Sequence, residues 1–163
     1  RLLIPIALIL ENFIFLLINF FIFISIYIVM LFTGFSISFN LKLLIFLPFI
    51  FIYISILSFS VGLVVSCLSA KYRDLALISN HGLQLLFFAT PVVYSSNYLD
   101  GAFYFLNYIN PVSYPVVFIK SIFFSTEILS TDILIFNIIT CLILFLVSIF
   151  FFNKVSRNVV DYA

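Results

Sequence analysis

The sequence predicts an all-α integral membrane fold. Three observations carry that prediction: a composition too apolar for water, apolar runs of membrane-spanning length, and the placing of the few charges. Of 163 residues, 66% are hydrophobic and 8% charged, whereas roughly a quarter of an ordinary soluble domain is charged. A soluble domain of this size still exposes about a third of its unfolded-chain surface, and too little polar surface exists here to cover it. Lipid therefore takes the place of water around most of the chain.

A spanning helix needs about 20 mostly apolar residues, because a rise of about 1.5 Å per residue must cross a hydrocarbon core about 30 Å thick. Four runs qualify. The first covers 2–33 and is most apolar over 13–33, with Glu11 and Asn12 as a polar interruption near its start. The second covers 43–68. The third, 75–94, is less apolar at its head, where Ser79, Asn80, His81 and Gln84 fall. The fourth covers 133–152. Between the last two lies a long region, 95–131, whose stretch 112–124 is apolar but too short to cross. Lys120 interrupts that stretch, and Pro111 and Pro115 open it. Irregular backbone at membrane depth is tolerated only inside protein or beside a wet cavity, so 95–131 is predicted to be a re-entrant helical hairpin.

The charges test this arrangement independently. With four spans, Arg1, Lys71, Arg73, Lys154 and Arg157 share one face, against Lys42 and Lys120 on the other. The positive-inside rule then puts both ends of the segment in the cytoplasm and the hairpin outside. A fifth span would weaken the asymmetry. The chain opens on Arg1 without a Met, and its first run carries no small-residue cleavage site, so an N-terminally incomplete chain is expected.

Several function classes are disfavoured by what the residues lack. A net charge of +1 without a basic stripe argues against nucleic acid as a partner. Cys67 and Cys141 lie alone in apolar runs and suggest neither a disulfide framework nor a zinc site. No GxxxxGK(S/T) phosphate cradle occurs, so any ATP work is expected to fall to a partner, and no catalytic residue, cofactor or metal site is expected on this chain. The span centres carry no ionisable group of the kind that marks a proton relay. His81 reads as a polar residue near an interface.

Two patterns remain open between a structural and a functional meaning. Ser58, Gly62, Ser66 and Ala70 recur every fourth residue and form a small face on the second span. Such a face suits close helix approach, as a seam within or between subunits, or arises by chance in a Ser-containing run. Tyr94, Tyr98, Tyr104, Tyr108 and Tyr114 crowd the hairpin region. They suit an interfacial aromatic belt or a stacking surface for sugar rings.

Four landmarks then carry a family resemblance. The end of the second span reads SCLSAKYRDL from Ser66 to Leu75, and its Lys71, Tyr72, Arg73 and Asp74 resemble the R/K-Y-R-D loop of ABC-2 type permeases that export polysaccharides and polyol phosphates. The stretch FATPVVY, with Thr90, Pro91 and Tyr94, is similar to that family's T-P-V-x-Y. LNYINP, with Asn110 and Pro111, is similar to its L-N-P, and the tail RNVVDYA is similar to its C-terminal segment. RLLIP at the start resembles the family's approach to its third span. Lys71 replaces a common Arg, and Asp161 and Tyr162 replace an aliphatic pair. The resemblance covers the whole chain as the latter part of a six-span permease.

It implies a homodimer bound to two copies of a separate ABC ATPase, which alone holds ATP and Mg. It also implies passage of a lipid-linked glycan, such as O-antigen, capsule or teichoic acid, across the inner membrane. The positive-inside argument then places Lys71 to Asp74 beside the ATPase, and the gathering of prolines, Asn110 and tyrosines on the opposite face predicts an exit gate over Thr90 to Pro115. Two rival readings are an ABC-2 exporter of a drug or other small hydrophobic molecule and a membrane-embedded glycolipid transferase. For the transferase, Asp100, Glu127 and Asp132 are too scattered to make an acid/base site.

Overall fold

A computed structural model describes residues 3–33, 40–72, 74–92, 94 and 104–160, with the backbone alone for 3–6, 8, 9, 41, 70, 71, 76 and 156–160. Among these residues the chain is all-helical. The helices are α1 (Leu3–Phe32), α2 (Leu41–Leu44), α3 (Leu47–Lys71), α4 (Leu75–Ala89), α5 (Leu106–Ile109), α6 (Ser113–Phe124) and α7 (Thr131–Val160). Three stretches are long and apolar enough to cross a membrane: Leu10–Phe32, Lys42–Ser69 and Thr131–Val155.

The 15 residues of α4 extend only about 22 Å at 1.5 Å per residue, and the 12 of α6 only about 18 Å. α4 covers most of the third predicted run and stops at Ala89, capped by Thr90. The cause is local: Pro91 has no N–H and its ring clashes with a continuing turn. α1 runs straight through Glu11 and Asn12 as one helix. Pro48 stands in the first turn of α3, where its missing N–H costs nothing.

α3 and α7 form the main pair. On α3 the buried residues Leu57, Ser60, Leu63 and Cys67 make the seam, and Cys141 and Ser148 are buried on α7. The Ser60 hydroxyl donates to the Ile56 carbonyl, and the Ser148 hydroxyl to the Phe145 carbonyl. Each polar group is satisfied on its own helix, and its small volume lets the backbones approach. α1 leans on α3 through a cluster of aromatic and aliphatic side chains that receives the end of α6. Phe123 meets Phe20, Phe23 and Tyr27 edge-on at centroid distances of 6.2, 4.9 and 5.2 Å. The Tyr27 hydroxyl donates to the Phe123 carbonyl at 3.0 Å, and the Asn40 N–H donates to the Ile122 carbonyl at 2.9 Å. Seven of the 12 residues of α6 are buried, so this short helix is packed largely inside the protein.

Candidate functional site

The end of α4, α5, the start of α6 and the first turns of α7 converge on a junction held by three polar knots. The first joins the two proline turns. The Asn110 side-chain amide donates to the Thr90 hydroxyl oxygen at 2.7 Å, and that hydroxyl donates to the Leu86 carbonyl at 2.7 Å. The other side of the Asn110 carboxamide accepts the Val112 N–H at 3.0 Å. Thr90 and Asn110 are both buried. One side chain thus ends α4, begins the turn into α6 and ties the two together.

Lys120 makes the second knot. Its ammonium donates to the carbonyls of Pro91 and Tyr94, which the break after α4 leaves without helical partners. Partial burial of the side chain disfavours the ammonium, and the two carbonyls stabilise it against that cost. Lys120→Met keeps the stem and removes the donors. Hydrogen bonds from a charged donor contribute about 1.5–3 kcal/mol each when buried and less when partly exposed. Faster hydrogen exchange across 88–94, with α3 and α7 unchanged, is the expected outcome in the full-length protein.

The third knot binds the hairpin to the bundle. The Tyr53 hydroxyl on α3 lies 2.9 Å from the Pro111 carbonyl and 3.1 Å from the Asn137 carbonyl, so its single proton is shared between them. The Asn137 side-chain amide donates to the carbonyls of Asn107 at 3.1 Å and Ile133 at 2.9 Å. Beside this knot a cavity of ≈ 200 Å³ opens between α3, α6 and α7, lined by Phe46, Tyr53, Tyr114, Phe118, Leu134 and Asn137 among others.

The structure therefore brings together Thr90, Pro91, Asn110 and Pro111, which the sequence singled out. Pro115 stands in the first turn of α6, where its absent N–H is tolerated while its ring bars the helix from extending back toward α5. The break lies at Asn110 to Val112. Tyr94 is half-buried and its hydroxyl reaches the Phe88 carbonyl at 3.4 Å. Tyr108 and Tyr114 pack on the Val117, Leu129 and Ile133 cluster. Tyr104 is exposed and meets the Tyr108 ring edge-on at 6.2 Å, while Tyr98 lies outside the described residues.

The loop expected beside an ATPase is partly visible. Tyr72 caps α3 through its N–H to the Leu68 carbonyl at 2.8 Å, and the Asp74 carbonyl accepts the N–H groups of Leu77 and Ile78. Both side chains are exposed; Arg73 and the Lys71 side chain lie outside the described residues. Ser58, Gly62 and Ser66 are exposed, and a Cβ added at Gly62 would meet nothing within 4 Å; the Ala70 side chain is not described. This small face turns about 200° from Ser60 and the α7 seam. Gly62→Leu is expected to leave the fold intact and to lower self-association, read as the dimer fraction in detergent, if a second helix packs there.

Sequence reasoning missed Tyr53, Asn107 and Asn137 and used Lys120 only as a charge. Asn137 had a readable signal, as a lone amide in an apolar run. Among the described residues no cluster of His, Cys, Asp or Glu could hold a metal ion.

Comparison with known proteins agrees with this architecture. The family model for ABC-2 type transporter matches residues 1–124. The O-antigen export system permease protein RfbA of Klebsiella pneumoniae is 27% identical over 110 residues, or 68% of this chain. Those residues are 42% of the relative's length, so the match covers about two fifths of that protein. Multi-pass apolar helices and a family match over most of its length lead to one conclusion: the chain belongs to the ABC-2 type transporter family.

Proposed function

We propose that the chain is the membrane-spanning part of a permease that exports a lipid-linked polysaccharide or related cell-surface glycan across the cytoplasmic membrane. In this reading two permease copies pair with two copies of a separate ABC ATPase, which binds ATP and Mg. Both ends of the present segment are cytoplasmic. The proline-broken hairpin, tied at Thr90 and Asn110, closes the outer exit.

The observation that carries this reading is the hairpin itself, an α4 break and a buried short helix joined by polar contacts. A static span would gain nothing from such breaks, whereas a closure that opens for a polymer needs them. α4 adds support. Asn80, His81 and Gln84 are exposed on it, and polar groups facing lipid are costly. A helix with that surface suits a path between protomers. The similarity to an O-antigen export permease supports the glycan over a small hydrophobic cargo.

The test is deletion of the full-length gene in its native host. Loss of one surface glycan, accumulation of its lipid-linked precursor in the cytoplasmic leaflet and recovery on complementation are expected. Unchanged surface glycans with altered drug tolerance would move the cargo to small hydrophobic molecules.

A further inference from the structure

Around the third knot, the Asn107 side chain has neither amide atom partnered, and the Asn137 Oδ1 and Ser113 Oγ are also shielded and unpartnered. Asn107 and Ser113 are 0% exposed and Asn137 1%. They come from α5, α6 and α7, which touch one another, and the Asn137 amide already reaches the Asn107 carbonyl. Buried polar atoms without partners are rare in native structures, and each calls for a bound molecule or an alternative state. Two carboxamides and a hydroxyl present donors and acceptors but no charge, a set that matches a hydroxyl group.

We propose that Asn107, Ser113 and Asn137 form a concealed hydroxyl-binding site, uncovered when α5 moves off α7, that takes up water or a sugar hydroxyl. The site rests on the exit-gate reading and deepens it. In the closed hairpin these groups forgo partners, which raises the energy of the closed state. In the open hairpin they gain them. α5 has only four residues and bonds to α7 through its backbone, so it can leave without unwinding a span.

The experiment uses the full-length permease with its ATPase, with Cys67 and Cys141 replaced and Ser113→Cys as the only thiol, probed from outside with a sulfonated methanethiosulfonate. No labelling is expected in the resting complex, and labelling is expected once ATP is supplied. Running the ATP arm with and without lipid-linked glycan separates the two sources. Protection by glycan assigns a sugar hydroxyl, and equal labelling assigns water. Labelling at rest at the rate of an exposed cysteine, or none in the ATP arm without glycan, overturns the proposal.

Asn107→Leu supplies the second arm. Replacing an unpartnered amide with an apolar side chain of similar size is expected to leave thermal stability unchanged or raised, because no side-chain bond is lost. Export is expected to fall about tenfold, the equivalent of about 1.4 kcal/mol, because the open state loses its hydrogen bonds. A melting temperature lowered by several degrees would show that Asn107 already has its partners. Proline variants at the gate that still impair export would, alongside a failure here, leave the gate standing without this site.

Discussion

Asn110→Ala in the full-length permease is expected to abolish most export while leaving membrane insertion intact. The side chain holds Thr90 on one turn and the Val112 N–H on the other, and it is 5% exposed. Alanine would leave the part-buried Val112 N–H without its acceptor and the buried Thr90 oxygen without its donor, at about 1–3 kcal/mol for a fully buried orphaned group. The loss falls on the closed hairpin, because α3 and α7 are joined by contacts Asn110 does not touch. The expected readout is surface glycan strongly reduced per permease copy, because the two proline turns lose their register, with unchanged permease abundance. Asn110→Asp tests the mechanism: it keeps the acceptor for Val112 and removes the donor to Thr90, so an intermediate effect is expected.

Pro91→Ala and Pro111→Ala are expected to act in the opposite physical sense, by stiffening instead of loosening. Pro91 restores an N–H at the position where α4 ends when it becomes alanine, and a helix interior favours Ala over Pro by about 3 kcal/mol. α4 can then continue past Thr90. That extension displaces the Pro91 and Tyr94 carbonyls from Lys120 and the Thr90 hydroxyl from Asn110. At Pro111, alanine restores an N–H and allows α5 to extend toward Pro115, which moves the carbonyl that Tyr53 holds. Reduced export with normal co-purification of the ATPase is the expected outcome for both, with the double variant no more stable than wild type.

The long helices were legible because length and apolarity alone decide them. α1, α3 and α7 follow the runs at 2–33, 43–68 and 133–152, and a run of that kind has no other home than lipid. The exact end of α4 was not legible from hydropathy, since Pro91, Val92 and Val93 continue the apolar run while the backbone cannot continue the helix. The part played by Pro115 turned on one register position: in a first turn it costs α6 nothing and still keeps the helix from running back into α5. The break between α5 and α6 was readable from Pro111 and Pro115.

The knots themselves were not. Tyr53 and Pro111 are 58 residues apart, and Asn107 and Asn137 are 30 apart, so no local pattern announces them. What could be read was only that an amide such as Asn137 in hydrocarbon must find partners, not which ones.

The measurement that tests the central claim most directly is the position of the glycan in cells whose only permease is the Pro91→Ala variant. Lipid-linked precursor in the cytoplasmic leaflet and polymer at the surface are quantified against permease and ATPase abundance. The account predicts precursor accumulating inside and surface glycan strongly reduced per permease copy, with the ATPase still bound. Wild-type surface glycan per copy, from a permease whose α4 continues past Thr90, would contradict the hairpin as the exit gate.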